Sequence, residues 1–169
     1  MKNYYIILRG PAGIGKSTIV KLLSSKIKAE VFHIDNMLDR LNLGYKQGEK
    51  WVPLNNFLEV DKKIISEINK KIIHKKIIIE GNFYHKEHMN NLLKSINSKN
   101  YIFTLKASVK TCIERDSKRN SIGKKNIKDV HKLVSKFDEG ILINTDNKNK
   151  EEIVKEIISY IKNEQSKNL

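Results

Sequence analysis

The stretch YYIILRGPAGIGKS, residues 4–17, decides the fold. Residues 4–8 form an apolar run that reads as a short buried strand. Gly10-Pro11-Ala12-Gly13-Ile14-Gly15-Lys16-Ser17 completes a G-x-x-x-x-G-K-[ST] phosphate-binding loop. KSTIVKLLSSKI then places Ile19, Leu22, Leu23 and Ile27 at helical spacing, so the loop sits between a strand and a helix, the context the motif needs. Gly10, Gly13 and Gly15 let the backbone wrap round phosphate without Cβ clashes, and amides such as that of Ile14 point inward. The helix N-terminus adds partial positive charge. Lys16 is placed to bridge the β- and γ-phosphates of ATP, Ser17 to ligate Mg²⁺, and Thr18 to contact the α-phosphate.

Working outward, strands and helices alternate to the end of the chain. VFHI (31–34), KIIIE (76–80), YIFTL (101–105) and GILIN (140–144) read as further strands. Helices are expected over 36–42, 57–73, 86–97, 108–118, 127–138 and 151–161, with a loop at 43–56. The strands are continuous apolar runs rather than in–out alternations, which implies a parallel sheet covered on both faces, an α/β fold of three layers. The 169 residues read as a single domain.

Composition sets the outer limits. With 39% hydrophobic and 31% charged residues, the chain is neither a membrane protein nor a disordered one. No apolar run is long enough to span a bilayer, so no membrane partner is expected. MKNYYIILRG lacks an apolar segment ending in a cleavage site. The single cysteine, Cys112, suits a reducing compartment, so a cytoplasmic location is expected. The net charge of +14 points to nucleic acid when read alone. However, 72 of the 169 residues are Lys, Ile or Asn, all with A/T-rich codons, so codon bias is an equal explanation. Arginine is scarce, at Arg9, Arg40, Arg115 and Arg119 only, and each survivor is a candidate for a place that needs a planar guanidinium fork.

Four features carry the chemistry beyond the loop. Glu80 ends the strand KIIIE after three apolar residues, where a carboxylate orients Mg²⁺ or its water. Asp35 follows the second strand, where ligands of open α/β sheets bind, and is the candidate general base for an attacking hydroxyl; it is also a good helix N-cap. Arg40 is a candidate clamp for the acceptor's phosphate or carboxylate, or a partner for an acid on its own helix. Arg115 and Arg119, four apart on one expected helix face, read as a lid over about residues 113–128 whose guanidiniums reach over the nucleotide. The alternative there is a solvated charged face with Glu114 and Asp116 as partners.

Together these residues resemble the small P-loop kinases, the group of shikimate, gluconate and adenylyl-sulfate kinases and zeta-toxin-like proteins. The resemblance covers nearly the whole chain and implies a P-loop NTPase sheet of order 2-3-1-4-5. Within the group the chain most resembles the kinase domain of phage-type polynucleotide 5′-hydroxyl kinases. That likeness implies Lys16 and Ser17 on phosphates and Mg²⁺, Asp35 as base, and Arg115 and Arg119 in the lid. Gly81-Asn82 resembles that family's strand-end Thr-Asn, which makes Asn82 a substrate-side candidate. Leu38 stands where the family places an acceptor arginine, with Arg40 displaced. EGNFYHKEHM (80–89) is also similar to the kinases that phosphorylate seryl-tRNA. Asn144, Thr145 and Asp146 fall where the group packs adenine.

The remaining features read more plainly. Trp51, beside Tyr45, either stacks on a substrate base or sugar or anchors its loop to the core. His85 and His88 lack the partners of a metal set. Cys112 reads as a helix-face hydrophobe. Lys124, Lys125 and Lys128 either contact a nucleic-acid backbone or reflect composition. The expected activity is ATP- and Mg²⁺-dependent transfer to a hydroxyl acceptor, either a nucleic-acid 5′ end or a small metabolite. A nucleotide-dependent binding or regulatory protein without an acceptor is the reading from another class.

Overall fold

The computed structural model describes residues 3–118 and 122–167. β1 (Tyr4–Arg9) is buried along its whole length and lies at the centre of a five-stranded sheet. It pairs in parallel with β3 (Lys76–Gly81) on one side and β4 (Lys99–Lys106) on the other. β2 (Ala29–His33) and β5 (Ile141–Asn144) form the edges, giving the order 2-3-1-4-5 that the resemblance implies.

Alternation along β1 divides the molecule into two cores. Tyr4, Ile6 and Leu8 face α1 (Lys16–Ile27) and α7 (Lys150–Ser166), through Ile19, Leu23, Val154 and Ile157. Tyr5 and Ile7 face α2 (Ile34–Arg40), α3 (Leu54–Lys71) and α4 (Lys86–Ser95). Phe57, Val60, Ile64 and Ile68 form the buried stripe of α3, at the spacing of one helix face. Among the described residues, no helix is long and apolar enough to cross a membrane.

Some boundaries differ from the expectation. VFHI does not run straight to Asp35: β2 stops at His33, and Asp35 lies in the first turn of α2. Ile34 turns under the sheet into the α2–α4 core, and burial of its side chain outweighs its strand propensity. The expected helix at 127–138 is α6 (Gly123–Val134), which begins and ends four residues earlier. α5 (Val109–Ser117) is where it was expected. Asp116 does not join a solvated charged face: its buried Oδ2 accepts from the N–H groups of Ile122 and Gly123 (3.3 and 3.1 Å) and so caps α6.

Arg9 explains why residues 134–140 lie where they do. Its side chain is fully buried at the end of β1. One terminal nitrogen donates to Phe137 O (2.9 Å) and Thr104 Oγ1 (3.3 Å), the other to Val134 O (2.9 Å) and Phe83 O (3.3 Å). Its guanidinium also lies over the Phe137 ring at 4.3 Å. Burial lowers its pKa, and nearby Asp138 and Glu139 act in the opposite direction. The C-terminal end of α6 is therefore held by a cation, which suits the helix dipole. Arg9→Met would leave these acceptors without donors. We expect it to lower the unfolding free energy by about 3 kcal/mol, read by chemical denaturation. A change below about 1 kcal/mol would show that the fork holds nothing in place.

Candidate functional site

The phosphate-binding loop takes its shape from glycine at two positions. Gly13 has φ 78°, and a Cβ there would collide with the carbonyl oxygen of Cys112 in α5. Gly15 has φ 102° and caps α1, with nothing within 4 Å of a would-be Cβ. One glycine thus lets the loop press against α5, and the other leaves its outer side open. Ile14 is buried between them in the α1–α7 core. The buried Lys16 ammonium donates to Gly10 O (2.9 Å), Pro11 O (3.1 Å) and Asn82 Oδ1 (2.9 Å), with Glu80 Oε1 at 4.0 Å.

The ends of β2 and β3 bring the candidate chemistry to this ammonium. Asn82 follows β3, and while its Oδ1 accepts from Lys16, its Nδ2 donates to Asp35 Oδ2 at 3.2 Å. Glu80 Oε2 lies 2.7 Å from His33 Nδ1. Lys16, Ser17, His33, Asp35, Glu80 and Asn82 all line one open cleft of about 660 Å³. The pKa of Asp35 is raised. Desolvation by the surrounding protein comes first among the causes, Lys16 opposes it, and Glu80 and Asp39 add to it. The residue is open to water on the cleft side, and this limits the rise.

Arg115 does not reach over the cleft. It donates to Ile14 O (2.9 Å), Thr145 Oγ1 (3.0 Å) and Thr145 O (2.7 Å), so it ties the phosphate-binding loop to the end of β5. It lines a second cavity of about 330 Å³ with Thr18, Ile19, Lys148 and Ile153. Asp146 is occupied by the Ser108 N–H of the α5 N-terminus (3.0 and 3.1 Å). Arg119 lies outside the described residues. Arg40 is exposed at the end of α2, and Trp51 is half-buried just before α3; neither is among the residues lining the cleft. Cys112 is buried, and burial pushes its thiol up to about 11.

The match to the family described as AAA domain spans residues 6–134. The chain belongs to the AAA domain family. No curated relative matches it in sequence. Among solved structures it is similar to a sugar kinase from Janibacter, at 13% identity and a TM-score of 0.78, covering 95% of each chain. An APS kinase of Mycobacterium tuberculosis, solved with AMPPNP and APS, is 15% identical with a TM-score of 0.71, covering 95% of this chain and 98% of that one. A shikimate kinase of Acinetobacter baumannii, solved with shikimate, is 16% identical with a TM-score of 0.65, covering 97% and 94%. This AAA domain protein therefore has the fold of the small P-loop kinases.

The sequence reading does not single out His33 or Asp61, and it names His88 without a partner. His33 shares strand parity with Asp35. His88 and Asp61 are both buried, and His88 Nε2 lies 3.0 Å from Asp61 Oδ1. The available signal was position: Asp61 is four residues after Phe57 and His88 four before Leu92, both on apolar faces. A polar residue in a slot that periodicity reserves for a hydrophobe asks for a buried partner. We expect Arg115→Ala to speed amide exchange at residues 14–16 and to lower the unfolding free energy by about 2 kcal/mol. Unchanged exchange in those amides would show that the loop needs no brace from α5.

Proposed function

We propose that this AAA domain protein transfers the γ-phosphoryl group of ATP, with Mg²⁺, to a hydroxyl acceptor. The observation that carries the reading is the hydrogen-bonded chain Lys16–Asn82–Asp35. A phosphate-binding loop alone serves transferases, hydrolases and regulatory switches alike. A carboxylate two hydrogen bonds from the phosphate lysine, in the same open cleft, is placed to take a proton from an incoming hydroxyl. The fold likeness to sugar, APS and shikimate kinases supports the same reading.

The donor set fits the expected metal. Among the described residues, no group of three His, Cys, Asp or Glu side chains is placed to hold an ion. Mg²⁺ is commonly held by one or two protein oxygens together with substrate phosphates, and Ser17 and Glu80, both lining the cleft, would supply those oxygens. When bound, it neutralises charge on the phosphate oxygens. Lys16 and the loop amides hold the β- and γ-phosphates. Asp35 accepts the acceptor's proton as the new oxygen–phosphorus bond forms and the bond to the ADP oxygen breaks. Thr18, Ile19 and Ile153 line the cavity proposed for the nucleotide base, with Arg115 as one wall.

Two acceptor classes fit. The cleft volume suits a small hydroxyl-bearing metabolite. Exposed Lys124, Lys125 and Lys128 lie on α6, between Ile122 and Val130 at the cleft wall, and favour a nucleic-acid 5′ end. Transfer of label from γ-labelled ATP to 5′-hydroxyl oligonucleotides, sugars, nucleosides and hydroxy acids separates them.

Lys16→Ala is expected to abolish transfer, and Asp35→Asn to lower kcat by about 10²–10⁴-fold. The acid limb of the rate profile follows Asp35, because only its ionised form accepts a proton. Activity should rise with pH through a value above the ordinary 3.8 of an aspartate. The sign for stability is opposite. A carboxyl whose pKa is raised on folding favours the folded state below that pKa and opposes it above. At pH 7 Asp35→Asn should therefore be at least as stable as the parent while inactive. Parental turnover in Asp35→Asn, with ATP still bound, would overturn the assignment of Asp35 as the base; ATP binding by the parent with label on no acceptor would instead favour a nucleotide-dependent binding protein.

A further inference from the structure

The buried pair His88–Asp61 takes no part in the chemistry above, yet His88 packs on Phe83, the chain neighbour of the residue that links Lys16 to Asp35. Phe83 follows Asn82 and has φ 49°, in the left-handed region that a bulky side chain rarely adopts. Such a conformation persists only where its surroundings impose it. Here they do so from three sides. The Phe83 ring stacks on His88, with centroids 4.9 Å apart and planes 11° apart. Its edge lies where a Cβ on Gly81 would meet it at 3.2 Å. Its carbonyl accepts from Arg9.

The His88 ring is itself fixed in plane. Its Nε2 lies 3.0 Å from Asp61 Oδ1, and Asn91 Nδ2 donates to Asp61 Oδ2 at 2.7 Å. Phe57 packs on its other side at 4.9 Å. Nδ1 is buried without a hydrogen-bond partner. A leucine or phenylalanine would fill this space without burying a carboxylate, so the pair is poorly explained as a source of stability. What it adds over a hydrophobe is a fixed ring orientation.

We propose that His88, held by Asp61, is a positioning residue: its stack on Phe83 imposes the turn that sets the Asn82 amide between Lys16 and Asp35. Its contribution to transfer rests on the phosphotransferase reading above and acts entirely through Asn82. The loop, not Asn82, holds most of the nucleotide, so the effect falls on kcat rather than on the KM for ATP.

The test combines substitutions at His88, Phe83 and Asn82. His88→Gln can still hydrogen-bond Asp61 but loses the stack. Phe83→Leu loses the stack without disturbing a buried charge, and it carries the test if His88→Gln does not fold. Each is expected to lower kcat about tenfold with the KM for ATP within about twofold. In an Asn82→Ala background the same substitution should change kcat less than twofold, because the residue through which it acts is gone. Equal losses in both backgrounds would mark a structural role and overturn the inference. Parental kcat in Phe83→Leu would do the same. A parent protein that binds ATP but phosphorylates no acceptor would fail the functional reading instead. A crystal structure of Phe83→Leu then decides the positioning separately: an Asn82 still within hydrogen-bond distance of both Lys16 and Asp35 overturns it, and a displaced Asn82 supports it.

Discussion

A buried ammonium must find oxygen on every open side, and the cleft is organised around how Lys16 does so. Two of its acceptors, Gly10 O and Pro11 O, belong to the loop that precedes it. The third, Asn82 Oδ1, comes from the end of a neighbouring strand. That third bond is available only because β1 and β3 are adjacent and in register, with Leu8 opposite Glu80 and Arg9 opposite Gly81. The sheet thus brings a strand tip to the lysine, and the amide that solvates the ammonium hands its own N–H groups on to Asp35. Charge, hydrogen bonding and sheet register are one constraint in this region.

The scarce arginines divide in an instructive way. Both well-placed guanidiniums among the described residues are spent on backbone carbonyls. Arg9 gathers the carbonyls of Val134 at the end of α6, of Phe137 and of Phe83, and Arg115 joins the loop to the end of β5. A fork with several fixed donors suits this work, and lysine, a point charge on a flexible stem, does not. Of the four arginines, Arg9 and Arg115 occupy such demanding places, whereas Arg40 is exposed and Arg119 lies outside the described residues. Arg115, expected in a lid over the nucleotide, bonds Ile14 and Thr145 and lines the second cavity, because helical spacing reports which residues share a face and says nothing about what that face meets.

Much of the candidate site was legible because it is local. The loop, Ser17 and Glu80 are recognised from residues a few positions apart, and strand–loop–helix order supplies the context. Asp35 was also found, though for a partly mistaken reason: it was placed at the end of a strand and in fact opens α2. Asp35 lines the cleft from the first turn of that helix all the same. Arg40 and Trp51 fared differently. Each was nominated by residue type within a loop or short helix, and no periodicity tied either to the cleft.

The sequence by itself determined the layer architecture, the central phosphate-binding loop and the residue types at the strand tips. These follow from short-range pattern: apolar runs need burial on both faces, and a G-x-x-x-x-G-K-S loop after a strand has few other uses. Only the tertiary structure decided which distant polar groups meet. His33 with Glu80, His88 with Asp61, and Arg115 with Thr145 are 47, 27 and 30 residues apart, and each pair is created by packing between elements. A buried polar group is stable only when its partner arrives with the fold, and one-dimensional spacing carries no record of that arrival.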